Sequence, residues 1–237
     1  MTPEGEDAMA IQVTRKEIKY RIPLLEFKYL ERTLQAQLQA DTNNRAEGYT
    51  VISLYFDSLD DGDRSNGLDG LEVRTKIRLR VYSSQDAAAK LEYKHKRGGD
   101  QTKYSITVSK ADALNLIGGD YRALLDYTEP VAGRMYGEMM QGVYRPKVLV
   151  AYERRAFVYP VNRVRITFDT NVRASQINLN PFDPDVSWAP VMAPGIGVFE
   201  VKYDGFLPTF IQKALAKLDG LPEANSKYLQ GRALYMG

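Results

Sequence analysis

The chain of 237 residues contains no cysteine and a single histidine, His95. Without cysteine it can form no disulfide, no thiolate nucleophile and no cysteine-ligated zinc site. With one histidine it can form neither a histidine-cluster metal site nor an ordinary Ser-His-Asp triad. A metal ion would therefore have to bind oxygen ligands, which Mg²⁺ and Mn²⁺ prefer.

The sequence also lacks a long apolar segment and a strong net charge. No apolar run approaches the ~18–20 residues that span a bilayer, and the polar, acidic first ten residues do not resemble a signal peptide. We therefore expect a cytoplasmic protein. The net charge of +2 is too small for a general nucleic-acid-binding surface, so we expect no nucleic-acid partner.

The charge that is present is unevenly distributed. Residues 72–110 contain ten lysines and arginines against four acids. In the segment RTKIRLRVY (74–82) cations occupy every second position from Arg74 to Arg80, with Ile77 and Leu79 among the residues between them. In a β-strand this alternation places all four cations on one face, at intervals of about 6.5–7 Å. Such a row suits a long polyanion better than a single carboxylate.

Several other segments repeat this alternation and predict an α+β protein with about eight strands. Strands are predicted at residues 12–21, 49–56, 74–82, 90–97, 103–109, 145–160, 163–170 and 197–203. Helices are predicted after Pro23, over 111–140 with breaks near Gly118 and Pro130, over 208–218, and after Ser226 as N-cap. Residues 57–70 are predicted to be a loop and residues 173–195 irregular. We expect residues 1–10 to be disordered and 11–237 to form one domain.

Because so many strands carry charges on one face and aliphatic side chains on the other, a barrel with a polar, basic interior and helices outside accounts for the pattern. The cations would converge inside this barrel. They would repel one another there and destabilise the fold unless an anion were bound.

Nine short motifs carry a family resemblance. They are, in order, EIKY (17–20), YFD (55–57), KIRLRVY (76–82), LEYKHK (91–96), TKYS (102–105), RPKVLVAYERRAF (145–157), VRITFD (164–169), FEVKYDG (199–205) and SKYLQG (226–231). Together they resemble the VTC domain, the polyphosphate-polymerase branch of the triphosphate tunnel metalloenzymes of the CYTH-like superfamily. The resemblance spans residues 11–235. We expect the chain to correspond to the catalytic domain alone, without SPX-type regulatory helices or a membrane segment.

The resemblance implies an eight-stranded antiparallel β-barrel, a triphosphate tunnel with a basic lumen, flanked by helices. In this family the triphosphate of ATP binds in the tunnel together with a divalent metal, commonly Mn²⁺. Eukaryotic members transfer the γ-phosphate to a growing polyphosphate chain, and relatives in the superfamily hydrolyse triphosphates or cyclise ATP.

The resemblance also assigns roles to individual residues. Phosphate binding is implied for Lys19, Arg78, Arg80, Lys94, Lys103, Tyr152, Arg154, Arg165, Lys202, Ser226 and Lys227. A catalytic role is implied for Arg78, Arg80, Lys94, Arg154, Arg165 and Lys227. Glu200 and Glu17 are implied to bind Mn²⁺ or Mg²⁺, as carboxylates do. Arginine binds phosphate through two N–H groups, and lysine supplies a compact charge.

One departure from the superfamily pattern concerns the first strand. Many tunnel hydrolases carry an ExExK signature, whereas the corresponding positions here are Arg15, Glu17 and Lys19. A cation replaces one carboxylate, which suggests one main metal ion and argues against a hydrolase. Glu17 is either a metal ligand or the partner of a lumen cation.

Other positions also allow a structural interpretation. Arg74 and Lys76 lie either in the lumen or at a solvated strand end, and Glu200 could be an ion-pair partner instead of a ligand. We expect Arg155 to pair with an acid outside the barrel, and His95 to serve packing.

The sequence therefore predicts a phosphotransferase, a polyphosphate polymerase that uses ATP and Mn²⁺ or Mg²⁺. The alternatives are a tunnel triphosphatase and a non-catalytic module that binds polyphosphate or triphosphate. Expected partners are ATP, inorganic polyphosphate and a membrane protein that removes the product. The oligomeric state stays open.

Overall fold

The computed structural model describes residues 15–45, 47–98 and 100–234, and residues 1–10, predicted to be disordered, lie outside them. The strands are β1 (Arg15–Pro23), β2 (Gln39–Ala40), β3 (Tyr49–Asp57), β4 (Val73–Val81), β5 (Ala88–Arg97), β6 (Asp100–Ser109), β7 (Arg145–Tyr159), β8 (Val164–Ser175), β9 (Ala189–Pro190) and β10 (Ile196–Asp204). The α-helices are α1 (Leu24–Gln35), α2 (Gly62–Leu68), α3 (Lys110–Ile117), α4 (Pro130–Gln141), α5 (Thr209–Leu215) and α6 (Lys227–Ala233).

Eight strands form one continuous antiparallel path in the order β1-β10-β8-β7-β3-β4-β5-β6. The short strands β2 and β9 pair with β7 and β8. This confirms the predicted α+β class and the eight-stranded antiparallel architecture. Strands β1 and β6 are the two ends of the path, and within the described ranges no backbone ladder joins them.

The outer face of the sheet packs against helices. One apolar cluster joins the outer sides of β3 to β6 to helices α3 and α4, with Leu79 and Met135 fully buried. A second joins β1, β8 and β10 to α1 and α5 through residues such as Leu30, Phe199 and Ile211. Helices thus cover the apolar face that the alternation predicted, and the charged face is left on the inside.

The strand register aligns the inner residues across neighbouring strands. Arg78 lies opposite Tyr55 on one side and Glu92 on the other. Lys94 lies between Lys76 and Lys103 in the same way. Side chains of directly opposed residues share a face, so the cations predicted strand by strand converge on one surface.

Two segments differ from the prediction. Residues 57–70 contain helix α2, because the buried Asp57 carboxylate accepts hydrogen bonds from the backbone N–H groups of Asp63 (2.8 Å) and Arg64 (2.9 Å) and starts the helix. Strand β8 continues to Ser175, beyond the predicted end, and its last residues pair with β9 in the segment predicted to be irregular. Across the three described ranges, no helix is long and apolar enough to cross a membrane.

Candidate functional site

The inner surface of the eight-stranded path, here called the lumen, carries the charged side chains. Its cations include Lys19, Lys76, Arg78, Arg80, Lys94, Lys103, Arg154, Arg165, Lys202 and, from the start of α6, Lys227. Glu17, Glu200, Tyr152 and Ser226 lie on the same surface. The structure therefore brings together the residues that the resemblance assigned to phosphate and metal binding. Their roles are proposals, taken up below.

Glu92 forms ion pairs with three of the cations. Its carboxylate receives Arg78 Nε at 2.6 Å, Lys103 Nζ at 2.6 Å and an Arg80 guanidinium nitrogen at 3.2 Å. Burial would raise the pKa of Glu92, but Arg78 and Arg80 outweigh it and lower the pKa to about 2. Glu92 is not among the site residues predicted from the sequence. The available signal was its position two residues before Lys94, on the same strand face.

Asp169 plays the same part on the other side of the lumen. It is 1% exposed and binds Arg154 through two hydrogen bonds of 2.7 and 2.8 Å, and Lys227 at 2.6 Å. Despite burial, these two cations lower the pKa of Asp169. The ring of Tyr152 lies beneath both cations, 5.0 Å from the guanidinium carbon and 4.7 Å from the ammonium nitrogen. Lys227 is thereby fixed although it comes from a separate helix.

Two carboxylates and two lysines alternate on the neighbouring strands β1 and β10. Lys19 contacts Glu17 at 2.5 Å and Glu200 at 3.4 Å, and Lys202 contacts Glu200 at 2.8 Å and Glu17 at 3.5 Å. Burial opposes ionisation, yet Lys202 and Lys19 hold the pKa of both carboxyls below the usual range. Both carboxylates therefore act as lysine partners, the second of the two roles that the sequence left open.

This pair of carboxylates also fits a divalent cation. Both groups are ionised and face one space, and Mg²⁺ or Mn²⁺ commonly uses one or two carboxylates together with substrate phosphates. Among the described residues, no three acidic or histidine side chains gather into a complete cage. The donor set therefore suits an ion whose remaining ligands come from phosphate or water.

Lys76 and Lys94 are less well compensated than their neighbours. Lys76 donates to Ser226 Oγ at 3.0 Å, which places it in the lumen and not at a solvated strand end. No described carboxylate lies within 4.0 Å of the Lys94 ammonium. Burial, together with neighbouring lysines of which Lys202 is foremost, lowers the pKa of Lys94 to about 8 although Glu17 opposes this. Burial also lowers the pKa of Lys76.

The lumen opens at one end into a cavity of about 480 Å³, here called the mouth. Its lining includes Arg80, Lys103, Arg154 and Arg165 together with Asp41, Tyr49, Tyr82 and two valines. Arg165 contacts Asp41 at 2.9 Å and the Tyr49 hydroxyl at 3.3 Å. In the described part of the chain, the Nε atoms of Arg80 and Arg165 are buried and have no hydrogen-bond acceptor. These two N–H groups remain available to a ligand oxygen.

Arg155 and His95 lie on the outer face of the sheet. Arg155 pairs with Glu31 of α1 at 2.8 Å, as expected for its side of β7. His95 stacks on Tyr93 with ring centroids 6.2 Å apart and lies 3.3 Å from the Thr75 hydroxyl. Neither residue joins the lumen set.

Comparison with known proteins gives a family and a fold. The VTC domain model matches residues 14–236. A proposed adenylate cyclase of Bacillus halodurans is 13% identical, with a TM-score of 0.52 over 90% of this chain and 96% of that one. A proposed adenylyl cyclase of Hippeastrum, described as having a dominant triphosphatase activity, is 13% identical, with a TM-score of 0.54 over 92% of this chain and 94% of that one. No curated protein sequence matches. At this identity the two structures show a shared fold alone.

Proposed function

The chain belongs to the VTC domain family, and we propose that it is a polyphosphate polymerase that transfers the γ-phosphate of ATP to a growing inorganic polyphosphate chain. The observation that supports this most is the charge balance of the lumen. Within the described residues, the ion pairs of the ten lumen cations named above involve five carboxylates, those of Glu17, Asp41, Glu92, Asp169 and Glu200. The excess of positive charge matches a ligand that carries several negative charges along its length.

Ion pairs preorganise two of the lumen arginines for phosphate binding. Arg78 and Arg154 are each fixed by a buried carboxylate, so little side-chain entropy is lost when phosphate oxygens bind their remaining N–H groups. No carboxylate of the described residues lies within 4.0 Å of the Lys94 ammonium, and an anion beside it would raise its lowered pKa and so favour its charged form. These residues bind and orient the phosphate chain in the proposed mechanism.

Phosphoryl transfer depends on positioning and charge neutralisation more than on covalent chemistry with the protein. In the proposed step, a terminal oxygen of the polyphosphate chain forms a bond to the γ-phosphorus, and the bond from that phosphorus to the bridging oxygen of ADP breaks. ADP leaves and the chain grows by one phosphate. The attacking oxygen is already ionised near neutral pH, because the second pKa of a phosphate is about 6. No protein general base is needed, which agrees with the absence of a lumen histidine among the described residues.

Catalysis is assigned to cations that surround the transferred group. Arg78, Arg80, Lys94, Arg154, Arg165 and Lys227 would stabilise the charge on the transferred phosphate and on ADP. The remaining lumen residues of the set, Lys19, Lys103, Tyr152, Lys202 and Ser226, would position the two phosphate chains. Glu17 and Glu200 would hold Mn²⁺ or Mg²⁺, which would neutralise phosphate oxygens, while Lys19 and Lys202 turn from the carboxylates to phosphate.

A tunnel triphosphatase is the second candidate. The Hippeastrum protein with the same fold has a dominant triphosphatase activity, and the same cations would serve a transfer to water. A non-catalytic binder of polyphosphate is the third. It would bind the chain in the lumen and release no product.

A product analysis distinguishes the three candidates. Purified protein is incubated with ATP and Mn²⁺, polyphosphate is resolved on a gel, and orthophosphate is assayed in parallel. We expect a ladder of polymer that Arg78→Ala and Glu200→Gln abolish and that Arg122→Ala, an exposed arginine outside the lumen, leaves unchanged. Orthophosphate without polymer would identify a triphosphatase. Tripolyphosphate binding without either product would identify a binder.

The product of a polyphosphate polymerase is a long polyanion, which has to leave the lumen as it grows. We propose that a membrane protein receives the product, as the resemblance implies. Co-purification of the protein with solubilised membranes tests this, and recovery of the protein without any membrane partner would contradict it.

A further inference from the structure

An exposed tyrosine continues the row of lumen cations on β4. Tyr82 directly follows the strand and is two residues beyond Arg80, so it continues the same face into the mouth. The residue is 42% exposed. Its position is nevertheless fixed, because the Asp86 carboxylate accepts hydrogen bonds from the backbone N–H groups of Tyr82 (2.7 Å) and Ser83 (3.1 Å).

A second tyrosine supports this ring. The centroids of Tyr49 and Tyr82 are 5.9 Å apart and the rings are tilted by 59°. The Tyr49 hydroxyl accepts from Arg165 at 3.3 Å, which holds the ring against the basic side of the mouth. Val51 and Val158 line the same cavity. The mouth therefore combines two tyrosine rings and two valines with arginines.

We propose that Tyr82, supported by Tyr49, is the stacking site for the nucleobase of a nucleoside triphosphate whose phosphates bind in the lumen. The inference rests on the proposed function and deepens it, because it assigns the end of the tunnel at which the nucleoside binds. Two residues of strand span about 6.5–7 Å, which leaves room for the ribose between the Tyr82 ring and an α-phosphate at Arg80.

The direction of the nucleotide follows from this placement. With the base in the mouth, the β- and γ-phosphates extend along β4 past Arg78 towards Lys76. Lys94 is aligned with Lys76, and the Glu17 carboxylate acts electrostatically on Lys94. The γ-phosphate therefore reaches the part of the lumen that contains the metal-binding carboxylates.

Stacking on a tyrosine ring does not select one base over another, because every base has a π face. Asn43 also lines the mouth, but its side-chain amide is engaged by Asp41 at 2.8 Å. We therefore expect ATP and GTP to bind with affinities within about threefold of each other.

The test compares a nucleotide with a bare phosphate chain. Titration calorimetry measures the dissociation constants of a non-hydrolysable ATP analogue and of tripolyphosphate at one fixed ionic strength. We expect Tyr82→Ala to weaken the ATP analogue about five- to hundredfold and to leave tripolyphosphate unchanged. Tyr82→Phe retains the aromatic ring, so this variant should bind the ATP analogue with the wild-type dissociation constant. The matched control is Tyr104→Ala, since Tyr104 is also partly exposed but lies on the outer face of β6.

The other outcomes overturn the inference. These are an equal loss for both ligands, no loss for either, failure of Tyr82→Phe to restore binding, or a wild-type protein that binds tripolyphosphate but not the analogue. Binding needs no turnover, so the inference and the proposed function fail separately. A Tyr82-dependent nucleotide site without polymer synthesis would retain the base site and refute the polymerase. Polymer synthesis with an unchanged KM for ATP in Tyr82→Ala would support the polymerase and refute the base site.

Discussion

Lys94 shows at the scale of one residue how the lumen relates stability to ligand binding. Its ammonium is partly buried among other lysines, and its pKa falls from 10.5 to about 8. The charged form is therefore disfavoured in the folded protein and not in the unfolded chain. Because the unfolded chain keeps this proton up to a higher pH, the contribution of Lys94 to wild-type stability should become more favourable as the pH increases from about 8 towards 10.5.

The first prediction concerns the replacement of this lysine by an apolar side chain of similar length. At pH 7, Lys94→Met should raise the free energy of unfolding by about 1–3 kcal/mol, because the unfavourable charge is removed. The same change should weaken tripolyphosphate binding about tenfold. Urea denaturation at pH 7 and pH 10 and calorimetry measure both effects. Lys28→Met on the exposed side of α1 is the control. A variant that is less stable than wild type at pH 7 would contradict this account.

The second prediction concerns Glu92, the carboxylate shared by three cations. Glu92→Gln should lower the free energy of unfolding by about 3 kcal/mol, because Arg78 and Arg80 lose their buried counter-charge. Tripolyphosphate should replace that charge, so the rise in Tm on saturation with tripolyphosphate should be larger in the variant than in the wild type.

Thermal melts with and without tripolyphosphate provide this measurement. Asp120→Asn, which removes an exposed partner of Arg122, should leave both the free energy of unfolding and the rise in Tm with tripolyphosphate close to the wild-type values. If the ligand raises the Tm of Glu92→Gln no more than that of the wild type, Glu92 does not substitute for phosphate.

At this scale the sequence predicted the cations better than their partners. Alternation alone placed Arg78 and Arg80 on one strand face. Glu92 and Asp169 follow the same alternation, but an acid in such a position is equally typical of a solvated face. Only the register between strands shows that Glu92 lies opposite Arg78 and Asp169 opposite Arg154. The expected mutual repulsion of the lumen cations is correspondingly reduced by these buried carboxylates.

Helix α6 shows how one element completes the site. It supplies Ser226 and Lys227 to the lumen and packs against the inner side of β7 and β8. Gly231 permits the close approach, since a Cβ atom there would lie 3.1 Å from methyl groups of Val148 and Val150 and 3.3 Å from Ala174 Cβ. The fit of this helix against the sheet thus depends on the absence of one methyl group.

The third prediction uses this glycine. Gly231→Ala should lower the free energy of unfolding by about 1–3 kcal/mol, because the added methyl group overpacks the contact between α6 and the sheet. Gly133 in helix α4 is the matched control, since nothing lies within 4 Å of its Cβ position. Gly133→Ala should stabilise the protein by about 0.5–1 kcal/mol. Chemical denaturation measures the free energy of unfolding of both variants. The prediction requires a decrease for Gly231→Ala and an increase for Gly133→Ala.

The fourth prediction concerns the ion pair that anchors α6. Arg232 binds Asp61 through two hydrogen bonds of 2.9 and 2.6 Å, and Tyr228 donates a hydrogen bond to Asp57. Arg232→Met should loosen the helix and so misplace Lys227, which weakens tripolyphosphate binding several-fold. Hydrogen exchange of residues 227–233 should accelerate while the exchange of β4 does not change. Unaltered exchange and affinity would show that the pair does not position the helix.

Element prediction succeeded where one local rule decides the structure. Ser226 is the N-cap of α6 as predicted, and it accepts from the Leu229 backbone N–H. Helix α2 was missed because its sequence, GDRSNGL, is rich in turn-forming residues. It forms through buried side-chain hydrogen bonds to Asp57, which join residues too far apart for a local rule to identify.

At the scale of the whole molecule, a sheet with one charged and one apolar face requires helices on its outside. Periodicity predicted the two faces, the family resemblance implied an eight-stranded antiparallel barrel, and neither predicted the order of the strands. Local patterns do not determine which strands become neighbours, because pairings such as β7 with β3 connect residues about a hundred positions apart. The unpaired gap between β1 and β6 was likewise beyond reach of the sequence.

The whole-molecule account makes the lumen a site for a phosphate chain, and calorimetric titration with tripolyphosphate tests this most directly. We predict one binding site whose affinity falls as salt concentration rises. Arg78→Ala and Lys94→Met should each weaken binding about tenfold or more, and Arg122→Ala should not. Thermal melts identify any variant that fails to fold. Equal binding by the wild type and a folded Arg78→Ala or Lys94→Met variant would contradict the central claim.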